Sequence, residues 1–213
     1  MKLLPYIISI GIVGLVWTSC SKKTERLPYL GNMEIVGNDT VYHTVPDITL
    51  IDQDSLTLHV SAFKNKVILA DFFFTSCPSI CPKVKKQMLR LYDRYKDDDR
   101  VLFISHTIDQ RNDSVAVLNR YAHNLGIDTE KWKFVTGEKD SIYYLADQYF
   151  VSVVEDPLAP KGFDHSGRII MMDRDRRVRG YCEGTDPESV TAFFSTIDRL
   201  LKEEYGDVGA LKN

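Results

Sequence analysis

The sequence predicts an α/β fold, a central mixed sheet flanked by helices, and three observations predict it. Short β-rich runs alternate with segments of helical period from Val41 onward. Val67–Phe74, VILADFFF, is a continuous apolar run of the kind that forms a strand buried on both faces. Near the C-terminus, two short apolar runs flank Asp173-Arg-Asp-Arg176, the pattern of a hairpin that adds antiparallel strands. A length of 213 residues suits one such domain with an N-terminal extension, and 44% hydrophobic with 27% charged residues is ordinary globular composition. The net charge of -3 removes any whole-chain electrostatic case for nucleic acid.

The extension comes first. Residues 1–19 read as a signal peptide: Lys2, an apolar run from Leu3 to Trp17, then Thr18 and Ser19 before Cys20. The run spans 15 residues and holds Pro5, whereas a spanning helix needs about 20. Val16-Trp17-Thr18-Ser19-Cys20 resembles a lipobox, with Trp17 where leucine is usual. It makes Cys20 the expected lipid-bearing first residue of a mature, membrane-attached lipoprotein. Residues 20–40 follow as a polar tether without clear period. Export from the cytoplasm permits disulfides, so the cysteines are read as oxidisable.

The domain proper is expected over 41–213. It opens with Val45–Ser55, read as a hairpin preceding the core. After Val67–Phe74, the stripe Val84, Met88, Leu91, Tyr92, Tyr95 has the period of an amphipathic helix. A strand is expected at Val101–Thr107, a helix at Asp113–Leu125, a strand at Lys133–Thr136 and a helix at Asp140–Phe150. The hairpin strands are Arg168–Met172 and Arg177–Cys182. Asp186-Pro187 opens the last helix as N-cap and first helical residue, with Val190, Phe193, Phe194, Ile197, Leu200 and Leu201 on one stripe. This order, with a cysteine pair after an early buried strand, is the layout of a thioredoxin-like fold.

That pair, Cys77 and Cys81, stands at the strand-to-helix junction with three residues between its members, and each is followed by proline. A residue before proline avoids helical angles, so the pair is expected on a turn, with Cys81 as N-cap and Pro82 first in the helix. Helix-start N–H groups then favour thiolate at both sulfurs. Two thiolates can form a reversible disulfide, attack a peroxide or bind a soft metal. A metal needs a third ligand, and five histidines are available. His43, His59 and His123 have no motif around them. His106 ends a strand at the sheet edge where ligands collect, a candidate for supporting the site. His165 lies in Gly162-Phe-Asp-His-Ser-Gly167, a loop turning into a strand, beside Asp164.

Phe74-Thr-Ser-Cys-Pro-Ser-Ile-Cys-Pro82, followed by Asp164-His-Ser166, strongly resembles the Sco/SenC family over about Val45–Leu201. The resemblance implies a membrane-tethered, thioredoxin-like copper protein that delivers copper to, or helps mature, the binuclear copper centre of cytochrome c oxidase. It implies that Cys77, Cys81 and His165 bind one copper ion, Cu(I) or Cu(II). It implies as partners the oxidase's copper-bearing subunit and a periplasmic copper donor or thiol reductant, on the periplasmic side of the cell envelope. The anchor departs from the pattern, since many relatives keep a transmembrane helix. A rival reading is a thiol-disulfide oxidoreductase with Cys77 and Cys81 as its redox pair, and a peroxidase is a third.

Other residues are read as structure. Cys182, in Tyr181-Cys-Glu-Gly184, is expected to be a buried inert thiol, and Met171 and Met172 core. Asp173–Gly180 lacks the terminal glutamate of a calcium loop and reads as a charged turn. Asp97-Asp-Asp99 is expected to cap a solvated loop. Asp71, six residues before Cys77 inside the apolar run, is a candidate proton acceptor or supporting carboxylate.

Overall fold

The computed structural model describes residues 26–206; the expected signal peptide and Cys20 lie outside them. Among the described residues no helix is long and apolar enough to cross a membrane. In chain order, β1 (Met33–Val36) and β2 (Asp39–Tyr42) form a hairpin of their own, largely within the stretch read as tether. Next come β3 (Thr49–Asp52), β4 (Thr57–His59) and β5 (Val67–Phe73), then α1 (Cys81–Tyr95). β6 (Val101–Thr107), α2 (Val115–Leu125), β7 (Trp132–Thr136) and α3 (Lys139–Gln148) follow. β8 (Val153–Glu155) and β9 (Phe163–His165) pair with each other, and β10 (Arg168–Met172), β11 (Val178–Glu183) and α4 (Pro187–Tyr205) complete the chain.

Seven strands make the central sheet in the order β11-β10-β5-β6-β7-β3-β4. β5, β6 and β7 run parallel, as strands joined by helices must, and β10, β11, β3 and β4 add antiparallel edges. The hairpin expected at Val45–Ser55 is present as β3 and β4, and β3 pairs with β7, so the hairpin extends the sheet. All seven residues of β5 and of β6 are buried, the burial predicted from VILADFFF. Alternation along β5 divides the contacts. Phe73 faces Tyr121 of α2 and Phe134, while Phe72 faces His106 and Tyr149 at the end of α3. α1 lies on the Phe73 side, and its Tyr95 hydroxyl donates to the Phe194 carbonyl of α4 at 3.2 Å.

The end of the sheet where β10 turns into β11 is closed by Arg179, which is 1% exposed. Its guanidinium donates to the Leu27 and Pro28 carbonyls at 2.7 and 3.2 Å, and to Asp173, Glu203 and Glu204 at 3.2, 2.5 and 3.3 Å. Tyr29 stacks over it at 4.1 Å from the ring centroid. The residues before β1 are thus pinned between β11 and the last turn of α4, and the Leu30 N–H donates to the Val178 carbonyl at 2.9 Å. Asp173 is the buried carboxylate of this group and also organises its turn, accepting from the N–H groups of Asp175 and Arg177. In the Asp97–Asp99 stretch the outcome differs from a solvated cap. Asp98 is buried because its carboxylate takes a forked pair from Arg100 at 2.9 and 2.7 Å.

Candidate metal centre

β5 delivers the chain to the site and α1 leads it away. Phe74 ends the buried strand, and the Cys77 N–H donates back to the Phe74 carbonyl at 3.2 Å, closing a turn. The loop start is held by Asp113, 1% exposed, which accepts from the Thr75 N–H at 3.0 Å, the Thr75 hydroxyl and the Thr107 hydroxyl at 2.5 Å. α1 begins at Cys81 with Ile80 as N-cap, one residue earlier than expected, and Pro82 occupies the first turn, where its missing N–H is not needed.

Three ligand atoms converge here. Cys77 Sγ, Cys81 Sγ and a ring nitrogen of His165 all lie within 4.8 Å of one another, and all three residues are buried. His165 Nε2 is 3.3 Å from Cys81 Sγ, and the Cys81 N–H points at Cys77 Sγ at 3.5 Å. His165 sits on β9, a strand where a loop was expected, held by its pairing with Val153 of β8. Its Nδ1 faces the Ser166 carbonyl at 3.1 Å; a carbonyl only accepts, so Nδ1 carries the proton and Nε2 presents its lone pair to the sulfurs. Phe74 packs edge-on against the imidazole at 5.8 Å between centroids.

The two thiols differ. Burial is the largest influence on Cys77 and pushes it up, but hydrogen bonds from the Cys81 thiol and from the Ser79 and Cys81 N–H groups outweigh it, leaving Cys77 below the usual thiol value. Burial pushes Cys81 far up, and its own hydrogen bond to Cys77 adds to that. Only Cys77 therefore has the thiolate character expected of both, because the helix start is too buried at Cys81 for dipole effects to win. Burial also pulls His165 below the ordinary imidazole range, so the ring is neutral and free to ligate.

The remaining candidates fall outside this trio. His106 is fully buried on the other face of the sheet, stacked on Phe72 with ring centroids 4.8 Å apart, and burial lowers it to about 4. His123 and His59 are exposed, and His43 Nε2 lies 2.9 Å from the Gln148 carbonyl. Cys182 is a buried free thiol whose burial pushes it up to about 12, the inert thiol expected; Met171 and Met172 are core. Asp71 is fully buried and bonded to Lys85 and Ser105. Lys85, Ser105 and Asp113 were not singled out from sequence. Lys85 carried a signal: it sits four residues after Cys81 in the same stripe as Val84 and Met88, a lysine on an apolar face.

The SCO1/SenC family model matches residues 37–202, most of the chain. This protein belongs to the SCO1/SenC family. The SCO1 protein homolog of Bacillus subtilis is 30% identical over 142 residues, covering 66% of this chain and 74% of that protein. Among solved structures, BsSco, described as a Sco family cytochrome c oxidase assembly protein with a disulfide switch, superposes with a TM-score of 0.65. It is 26% identical over 74% of this chain and 93% of its own. Bradyrhizobium japonicum ScoI, solved with copper bound, has a TM-score of 0.59 and 22% identity over 74% of this chain and 99% of that one. The Sco neighbours share the thioredoxin-like architecture seen here, and in this chain the cysteine turn and the strand carrying His165 meet at the site.

Proposed function

We propose that this Sco protein carries copper on Cys77, Cys81 and His165 and passes it to the copper-bearing subunit of cytochrome c oxidase. The observation that carries the reading is the convergence of two sulfurs and one correctly protonated imidazole within 4.8 Å. Two thiolates and an imidazole form a soft donor set suited to Cu(I) and, with an added ligand, to Cu(II). One ion with bonds of about 2.0–2.3 Å spans ligand atoms roughly 4 Å apart, so closure needs only small side-chain shifts. Copper is cargo here: three protein ligands leave room for an acceptor's ligands to replace them one at a time. Family membership and the copper-bound relative support the same reading. Attachment through a lipidated Cys20, on the periplasmic side of the envelope, belongs to the proposal, as does supply by a periplasmic copper donor.

A second reading rests on the inequality of the thiols. Cys77, the more acidic, is placed to attack one sulfur of a partner's disulfide, forming a mixed disulfide and expelling a thiolate that takes up a proton. Cys81 then loses its proton and attacks Cys77 Sγ, closing the Cys77–Cys81 disulfide and releasing the partner's second thiol. Two electrons and two protons move from this pair to the partner. Anaerobic titration of the reduced chain with Cu(I) separates the readings. Stoichiometric binding that collapses in Cys77→Ser and His165→Ala supports the carrier. Absence of copper binding together with reduction of a protein disulfide supports the oxidoreductase. Mass spectrometry of the membrane fraction tests the anchor, which fails if the mature N-terminus is not an acylated Cys20.

A further inference from the structure

Two glycines touch behind His165, and neither is demanded by its backbone angles. Gly167 leads into β10 and Gly184 directly follows β11, and both have φ outside the left-handed region. Space is what requires them. A methyl on Gly184 would stand 2.6 Å from the Gly167 carbonyl oxygen and 3.0 Å from Ile169 Cγ1. That oxygen accepts from the Gly184 N–H at 2.8 Å, so the two backbones touch and bond with no side chain between them. A methyl on Gly167 would stand 2.9 Å from Thr185 Cγ2, 3.3 Å from Val84 Cγ2 and 3.9 Å from Ile80 Cδ1. Ile80 is the N-cap of α1 and Val84 lies in its first turn, on either side of Cys81 in the chain.

The segments flanking Gly167 are held unequally. β10 is bonded to β5 on one side and to β11 on the other. β9 pairs only with β8, outside the central sheet, and Ser166 adds one bond from its N–H to the Ser152 carbonyl. A push on the Gly167 carbonyl is therefore taken up toward Ser166, whose own carbonyl accepts from His165 Nδ1 at 3.1 Å. That bond sets the tautomer and the aim of the ring, which brings Nε2 to 3.3 Å from Cys81 Sγ. We propose that Gly184, through its contact with Gly167, is a positioning residue that holds the Ser166 carbonyl in place and so aims His165 Nε2 at the metal position. This role rests on the copper reading above and gives a residue that touches no metal a hold on the ligand set.

Gly184→Ala and Gly167→Ala are made in the full chain, each with and without His165→Ala. Cu(I) affinity is read by competition with a chromophoric chelator. The proton position on His165 is read in the reduced, metal-free chain by long-range proton–nitrogen correlation NMR. Gly184→Ala is expected to weaken Cu(I) by about tenfold, as disturbing the outer hydrogen bond of a metal-binding histidine does, and to turn a ring protonated at Nδ1 into a mixture of tautomers. In the His165→Ala background it is expected to change affinity by less than about twofold, because two changes that act through one ligand do not add. A merely structural lesion would weaken both backgrounds alike. Gly167→Ala, whose methyl meets only side-chain atoms, is expected to act in the same direction and by less. An unchanged tautomer in Gly184→Ala, or an equal loss of affinity with and without His165, overturns the proposal. Should that variant not fold, Gly167→Ala decides by the same two criteria. A wild type that takes up no Cu(I) refutes the copper reading instead, and the tautomer result still judges Gly184.

Discussion

The two ends of the central sheet both bury polar side chains, but they finish their bonding differently. At the β10–β11 end, Arg179 reaches two carbonyls and three carboxylates, and its guanidinium is enclosed by acceptors. At the other end, His165 makes one backbone hydrogen bond and turns its second nitrogen to a sulfur; nearby on the opposite face, neither His106 nitrogen nor the Tyr149 hydroxyl has a hydrogen-bond partner among the described residues. Saturated polarity holds chain segments together. The second end leaves ligand atoms unspent, and there, among the described residues, two sulfurs and an imidazole nitrogen gather within reach of one ion.

Breaking the open end is expected to have the largest effect, and on binding alone. Cys81→Ser should weaken Cu(I) by on the order of a thousandfold, an even share of the 10–16 kcal/mol typical of a structural metal site. Thermal unfolding without metal should move little. Breaking the saturated end reverses the pattern. Arg179→Met strands Asp173, Glu203 and Glu204 as buried or half-buried acids and should cost about 3–5 kcal/mol by urea unfolding, with Cu(I) affinity unchanged. Equal loss of affinity in that variant would erase the distinction between the ends.

His106 sharpens the contrast through pH. Its folded-state value, about 4, lies below the 6.5 of an open imidazole, so the unfolded chain binds the proton first as pH falls. Stability is unaffected above that window and should drop by roughly 3 kcal/mol on acidification through it, with His165 adding in the same direction. His106→Phe should flatten most of this acid limb in urea melts at pH 4.5 and 7; an undiminished slope assigns the limb to other groups. The smallest expected effect is kinetic. Iodoacetamide at neutral pH should label Cys77 about tenfold or more faster than Cys81 or Cys182, as peptide mass spectrometry would show.

Much of this was legible in the primary structure where the physics is local. The burial of β5 followed from eight apolar-rich residues in a row, and the helices from their 3.6-residue stripes. The cysteine turn followed from its prolines, and His165 from the Sco-like Asp164-His-Ser166. Short strands were missed because they have no room to show a period. β8 and β9 contain three residues each and exist by pairing with one another, and the β1–β2 hairpin was hidden in polar sequence. Lys85 escaped because lysine reads as solvent-exposed unless a partner is known, and Asp71 lies 14 positions away. The inequality of the thiols was invisible for a related reason: burial depends on neighbours that the chain brings together only on folding.

The Leu27–Arg179 clasp has a mechanical consequence. Met172, beside the clasp, pairs with Ile68 at the start of β5, while the cysteines follow that strand's far end. Seven residues of extended chain separate those ends by about 23 Å. A pull applied through the residues before Leu27 is therefore borne by α4 and β11 and leaves the cysteine turn unloaded. The point of load and the reactive turn thus lie at opposite ends of one strand.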